Sequence, residues 1–319
     1  MATDSEKKTK PSWFLHVRWL AEYLALRTLI CWIHVLTPAL AQRWAWRLSW
    51  LVGDVLRFRR RTIEENLLAI YPHLTKSELS RLTRASWYHL IQTAFQVVHI
   101  SRKIHDTNWR EYVWIRDRRQ MTERLIDYRP LVVVTGHFGN FEMGGYVMGL
   151  LGMPSYAVAR TLDNPYLDRF LNEFRSLRGQ HLLPKDGSAQ QIQHVLDEGG
   201  MLGVLADQHA GTKGCWIEFL GRPAACHKAV ALFTLTGMAP MMVSYCKQLD
   251  EPLRFEIGCC GIADPLTLPP ELRDVTALTQ WYNDRLAEAI HADPAQYWWV
   301  HRRWKERPTR GGARGRVAA

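Results

Sequence analysis

The chain carries no CxxC pair. Its six cysteines (Cys31, Cys215, Cys226, Cys246, Cys259, Cys260) follow no zinc spacing. An HExxH helix is missing too, and although His137, Glu142, Asp207 and His209 are possible ligands, their spacing fits no closed zinc pattern. No metal and no cofactor are expected. Nor does the sequence predict a cleavable leader: Met1 to Lys10 are polar, and the apolar stretch behind them lacks a small-residue cleavage site. Free thiols in a reducing compartment follow, with the bulk of the chain facing the cytoplasm. No internal repeat, no Pro/Ser-rich linker and no DNA- or RNA-reading motif is present, so nucleic acid is not the expected partner. No apolar run reaches the ~20 residues of a membrane span; the cleanest, Thr28 to Ala41, is about 14 residues long and contains Pro38.

What the chain does have is positive charge and tryptophan. A formal net charge of +10 calls for an acidic partner. Of 14 tryptophans, Trp13, Trp19, Trp32, Trp44, Trp46 and Trp50 all precede Leu51. Indole rings interleaved with arginine suit the headgroup level of a membrane, and Arg57, Arg59, Arg60 and Arg61 follow at once. Anionic lipid is therefore the expected surface partner. A buried helical hairpin is the plainer alternative for the same segment, and with Arg27 snorkelling a tilted or half-inserted helix over Trp13–Leu36 is another.

Four stretches organise the chain: a disordered lead over 1–12, membrane-associating interfacial helices over 13–61, a catalytic domain over 62–308 and a disordered tail over 309–319. A long helix is predicted over Lys76–Ile100, capped by Ser77 or Thr75, and a charged helix over Arg116–Tyr128. Strands are then predicted at Leu131–Thr135, Ser155–Ala159, Met201–Ala206, Pro240–Cys246 and Phe255–Gly261. They alternate with helices at Phe141–Leu151, Pro165–Leu177, Ser188–Asp197 and Ala224–Gly237, and a last helix covers Asp274–His291. That alternation specifies an α/β fold with a central mixed, largely parallel sheet flanked by helices.

Polar clusters sit where the strands end. In LVVVTGHFGNFEMGG a β-branched run breaks at Gly136 into a turn carrying His137 and Glu142. Across such a turn a histidine at the strand end and a carboxylate at the helix start can converge as a general base and its orienting partner. A loop histidine beside a capping glutamate is the alternative. Arg160 ends a strand and suits an anion clamp, while Asp163 or Asn164 is placed to cap the helix beginning at Pro165. Asp207, with Gln208 and His209, leaves its strand at a position equivalent to His137, so one cleft can hold both; capping the turn at Gly211 is its simpler role. The closing basic run His301, Arg302, Arg303, Lys305, Arg307 lies beside Trp298, Trp299 and Trp304.

In this order the clusters resemble the lipid A biosynthesis acyltransferase family, the late lauroyl/myristoyl-type transferases of the wider HX4D/E group. The matching blocks are HFGNFE (His137–Glu142), Arg-x-x-Asp-Asn-Pro (Arg160–Pro165), LADQHAG (Leu205–Gly211), EFLGRPAACHKAVALF (Glu218–Phe233) and YWWVHRRWKERP (Tyr297–Pro308). Phe141 stands where many members carry Trp, Leu220 interrupts a commoner Phe-Phe-Gly, and Cys226 replaces a small hydroxyl residue; none of these removes a catalytic group. The resemblance implies transfer of a fatty acyl group from an acyl carrier protein or coenzyme A thioester to a hydroxyl of a glycolipid, at the cytoplasmic face of the inner membrane. A thioester is already activated, so no serine or cysteine nucleophile is required. His137 is then the expected base, Glu142 its orienting carboxylate, and the N–H groups of Gly139 and Asn140, or Arg160, the donors to the oxyanion. Arg160 is an equal candidate to clamp a phosphate, and Asp207 to position the acceptor or Arg160. Another lipid acceptor, such as a lysophospholipid or a phosphoinositide mannoside, is the alternative within the class. A non-catalytic lipid-binding protein and a metal-dependent esterase lie outside it.

Overall fold

The protein was analysed as a computed structural model that describes residues 12–177, 179–184 and 187–305. The lead expected over 1–12 lies outside these residues except for Ser12; the tail over 309–319 and Arg307 of the basic run lie outside them entirely.

Helices come first. Helix α1 (Trp13–Val35) starts on Ser12, whose hydroxyl accepts from the Leu15 N–H. Thr37 caps α2 (Pro38–Trp50), which opens with Pro38 in its first turn. The Pro38 that shortens the apolar run therefore splits it between two helices, and no helix among the described residues is long and apolar enough to cross a membrane. One turn of π-helix (Leu51–Val55) leads to α3 (Arg60–Ile70) and α4 (Lys76–Lys103). Of the two caps considered for α4, Thr75 is the one used, in a reciprocal capping box with Glu78.

The α/β part then runs β1 (Val113–Ile115), α5 (Arg118–Leu125), β2 (Leu131–Thr135), α6 (Phe141–Leu150), β3 (Ser155–Ala159), α7 (Pro165–Ser176), β4 (Gln180–Pro184), α8 (Ala189–Asp197), β5 (Met201–Leu205), β6 (Cys215–Phe219), β7 (Arg222–Cys226), α9 (Ala229–Thr236), β8 (Met241–Gln248), β9 (Phe255–Ala263) and α10 (Val275–Ala292). Seven strands form one sheet in the order β1-β9-β8-β2-β5-β3-β4, parallel except for the β8–β9 pair. The helix expected from Ala224 begins only at Ala229. Ala224 and Cys226 belong instead to the β6–β7 hairpin, opposite Ile217 and Cys215. Alanines in this run have strong helix propensity, and cross-strand pairing overrides it.

Residues alternate across the central strands as a sheet covered on both faces requires. Val132, Val134, Leu202, Met241 and Val243 join one core with α8, α9 and α10. Leu131, Met201 and Met242 join the other with α6 and the end of α4. Strand β2 sits at the middle of this construction. The chain leaves it to build β3 and β4 on one side, returns through β5, and then crosses to β8 on the other side. The carboxyl ends of β2 and β5 thus lie next to each other where the strand order reverses, the place where open α/β sheets bind ligands.

Candidate active site

Register alone brings the two central groups together. Thr135 of β2 is aligned with Leu205 of β5, and the Ala206 N–H donates to the Thr135 carbonyl at 2.9 Å. Two residues on, His137 and Asp207 leave adjacent strands side by side. His137 Nδ1 lies 2.8 Å from Asp207 Oδ1, and the His137 backbone N–H donates to Asp207 Oδ2 at 2.9 Å. A methyl at Gly136 would come within 3.3 Å of the Asp207 side chain, so the smallest residue stands at the tightest approach. Burial works to raise the Asp207 carboxyl, but the His137 imidazole and both its hydrogen bonds, with the Arg303 guanidinium behind, outweigh burial and hold the carboxyl below the usual range. An ionised Asp207 accepts a hydrogen bond from Nδ1–H, which turns the Nε2 lone pair away from it.

Glu142 does not fill the place expected of it. Its carboxylate is engaged at both oxygens by Arg175, with Arg175 Nε donating to Oε2 at 3.2 Å and Nη2 donating to Oε1. Glu142 lies in the first turn of α6 and Arg175 in the last turn of α7, so the pair fastens these helices together. The tautomer-holding contact is made by Asp207 because parallel register carries it to the imidazole, whereas Glu142 emerges from a helix that starts after the turn. Nor does Asp207 cap the turn at Gly211.

The expected backbone oxyanion donors are also occupied. Gly139 donates its N–H to the Gln296 carbonyl at 3.0 Å, and Asn140 donates its own to the Cys246 carbonyl at 2.7 Å. Gly139 is held at φ +61°, where an added methyl would meet the Cys246 oxygen at 2.0 Å. The fully buried Asn140 side chain caps α6 at Met143 and donates to Gln96 Oε1 at 3.0 Å. His89 of α4 closes the loop from beneath, its Nε2 lying 3.1 Å from the Gly139 carbonyl oxygen, and burial lowers its imidazole to about 4. Gly139 and Asn140 build the turn that presents His137.

Arg160 follows β3, the strand next to β5, at the same end of the sheet. Its guanidinium is exposed and makes only a loose 3.6 Å contact to Asp163, itself exposed. Asn164, the other residue considered at the start of α7, is its cap, and it also donates to the Trp19 carbonyl and to Glu22 of α1.

The sequence did not single out the ring over the base. Trp298 stacks on His137 with centroids 4.6 Å apart and planes 8° from parallel, and Phe141 meets His137 edge-on at 5.0 Å. The segment carrying Trp298 is tied to the site loop, because its N–H donates to the His137 carbonyl and Phe138 bridges to Tyr297. The tryptophan-rich closing run is the signal that marks it. Further along, Arg303 is buried, donating to the Ala225 carbonyl and to Cys226 Sγ, its charge directed at Asp207 from the core. Among the described residues no group of three His, Cys, Asp or Glu side chains is arranged to hold a metal ion. A cavity of about 610 Å³ lined by Trp46, Ser80, Arg84 and Tyr88 contains neither His137 nor Asp207.

A histidine hydrogen-bonded at Nδ1 to a buried aspartate thus stands at a sheet switch point, an arrangement able to serve general-base chemistry. The family model for bacterial lipid A biosynthesis acyltransferases matches residues 6–306, and the chain belongs to that family and is an acyltransferase. Among similar curated proteins, the lipid A biosynthesis palmitoleoyltransferase of Escherichia coli K12 is 23% identical over 302 residues, covering 92% of this chain and 94% of that one. The lipid A biosynthesis lauroyltransferase of the same strain is 24% identical over 303 residues, with the same coverage. A phosphatidylinositol mannoside acyltransferase of Mycolicibacterium smegmatis is 26% identical over 180 residues, covering 55% of this chain and 57% of that one. A solved 1-acyl-sn-glycerophosphate acyltransferase from Thermotoga maritima aligns with 82% of this chain at 10% identity and a TM-score of 0.39, too slight a likeness to carry weight.

Proposed function

We propose that the protein transfers a fatty acyl group from a thioester, carried by acyl carrier protein or coenzyme A, to a hydroxyl of a lipid A-type glycolipid, with His137 as general base and Asp207 as the carboxylate that orients it. The observation that carries this reading is the hydrogen bond from Nδ1 to an ionised, buried Asp207, which fixes the tautomer whose Nε2 can take a proton. The acceptor hydroxyl gives its proton to Nε2 as its oxygen attacks the thioester carbonyl carbon. Asp207 and the Trp298 face stabilise the imidazolium that forms. The imidazolium then returns the proton to the departing thiolate. Glu142 acts through Arg175, holding α6 and α7 so that the His137 turn and the Arg160 edge keep their spacing. Arg160, lightly paired and exposed one strand away, clamps a phosphate of the acceptor or of the carrier.

The membrane is reached through α1, α2 and the turn after them. Trp13, Phe14, Val35, Trp46, Trp50, Leu56 and Phe58 are exposed, while α1 buries only Ile33. Exposed Arg57, Arg59 and Arg61 flank this apolar surface. It suits an interfacial mode, in which rings enter the headgroup layer and arginines meet anionic lipid, on the inner membrane with the catalytic domain facing the cytoplasm.

Purified protein incubated with acyl carrier protein thioesters, or with acyl coenzyme A, and a tetra-acylated lipid A precursor should add one acyl mass by mass spectrometry. Transfer to a lysophospholipid or phosphoinositide mannoside but not to the lipid A precursor would reassign the acceptor. No transfer to any of them would overturn the reading.

A further inference from the structure

His137 Nε2, the nitrogen that must take the acceptor proton, already has a neighbour. The half-buried side chain of Gln208 places its amide nitrogen 3.3 Å away. Because Asp207 accepts a hydrogen bond from Nδ1–H, Nε2 presents a lone pair, and the amide N–H is the end of Gln208 that can face it. Gln208 directly follows Asp207, so the strand that delivers the orienting carboxylate also delivers this donor. A donor so placed costs the free enzyme something, since it covers the base. It is displaced only when a better partner, a hydroxyl hydrogen, reaches Nε2.

The oxyanion meanwhile lacks the partners expected for it. The N–H groups of Gly139 and Asn140 are committed to the Gln296 and Cys246 carbonyls, and Arg160 is exposed on the neighbouring strand. On the acyl-transfer reading above, we infer that Gln208 is a catalytic residue: its side-chain amide caps Nε2 in the free enzyme and donates to the thioester carbonyl oxygen during transfer. The acceptor hydroxyl enters against Nε2 and replaces the amide as its partner. The freed N–H is then within a hydrogen-bond length of the carbonyl under attack. As the new C–O bond forms, the carbonyl π pair moves to oxygen, where Gln208 meets it, and the hydroxyl proton passes to Nε2. Collapse restores the C=O, breaks the C–S bond and sends the imidazolium proton to the leaving sulfur. Every atom is accounted for by thioester and hydroxyl alone. A side-chain donor is also a switchable one, since it binds the base when the site is empty and the oxyanion when it is full.

The test compares wild type with Gln208→Ala and with the near-isosteric Gln208→Met and Gln208→Glu, all assayed with acyl carrier protein thioester and the lipid A precursor. Turnover by wild type is the control, and its absence would speak against the acyl-transfer reading rather than against Gln208. With wild type active, losing one oxyanion donor should lower kcat about 10²–10³-fold in Gln208→Met while KM changes only a few-fold. A long-chain alkylphosphonate that mimics the tetrahedral intermediate should lose affinity by a similar factor, which a packing defect would not produce. Retention of more than a third of wild-type kcat by Gln208→Met or Gln208→Ala would overturn the proposal and hand the oxyanion to Arg160 or to the first turn of α6. A fall in kcat with phosphonate affinity unchanged would overturn it equally.

Discussion

The residues that matter most are two groups from different strands, and each has its own expected penalty. Asp207→Asn keeps the shape but no longer demands the Nδ1–H tautomer, so kcat should fall about 10²–10⁴-fold with little change in the circular dichroism spectrum. Glu142→Gln weakens the Arg175 pair and leaves the imidazole bonded, so it should act mainly on thermal stability and by a smaller factor on rate. Trp298→Leu removes the stacked face, and a loss of about tenfold in kcat is expected from a contact of this type. His137 was legible as a strand-end residue, the placement behind its proposed role as base, because a β-branched run broken by glycine marks a strand end. Its partner was only half legible: the equivalent strand end put Asp207 within the same cleft, but which of two carboxylates meets an imidazole depends on strand register and not on distance along the chain. Glu142 lies five positions away and points at Arg175; Asp207 lies seventy positions away and is the contact. The same applies to Gly139 and Asn140, whose N–H groups look free at a helix start until Gln296 and Cys246 arrive from distant segments.

At the scale of elements, the site loop is a fixed piece of masonry between α4, β8 and the closing segment. Gly139→Ala combines a left-handed backbone with a methyl driven into the Cys246 carbonyl. It should cost more than about 2 kcal/mol and lower the thermal midpoint by several degrees in scanning calorimetry. His89 beneath the loop gives a pH signature. Its imidazole is buried and neutral in the folded protein, titrating near 4 instead of 6.5. The unfolded chain therefore binds a proton first as pH falls, so stability is complete above about 6.5 and is lost on the way down to about 4, by on the order of 3 kcal/mol. Denaturant midpoints measured across that window should fall with acid, and His89→Gln, which can still donate to Gly139, should flatten the slope. Five of the sheet strands were visible as apolar runs with glycine or proline at their ends. Edge strands β1 and β4 were not, the first being three residues long and the second carrying Gln180, His181 and Pro184 on a sheet margin where apolar patterning is not required.

For the whole molecule, the largest decision is where the apolar N-terminal surface goes. Helix α1 touches the catalytic part through Asn164, which holds the Trp19 carbonyl and Glu22, and through Tyr23 and Arg27 against Phe170, leaving Trp13, Phe14 and Val17 outward. A bilayer is the partner this account assigns to that surface. Vesicles containing phosphatidylglycerol should bind the protein more tightly than neutral ones, with binding weakened by raising salt from about 0.05 to about 0.5 M, which shortens the Debye length roughly threefold. Replacing Arg57, Arg59 and Arg61 together should reduce that binding without altering turnover on detergent-dispersed acceptor. Composition points to the same partner, since +10 net charge and clustered tryptophans are visible in any sequence. Pro38 was visible inside the short apolar run, and in the structure it opens α2.

The most direct measurement places four proteins in one assay: wild type, His137→Ala, Asp207→Asn and Glu142→Gln, each with acyl carrier protein thioester and a tetra-acylated lipid A precursor, with initial rates read by mass spectrometry. The account predicts transfer by wild type, none above background for His137→Ala, a loss of about 10²–10⁴-fold for Asp207→Asn and a clearly smaller loss for Glu142→Gln. Asp207→Asn turning over at the wild-type rate, with Glu142→Gln inactive and folded, would contradict it and return the base to the carboxylate five residues away.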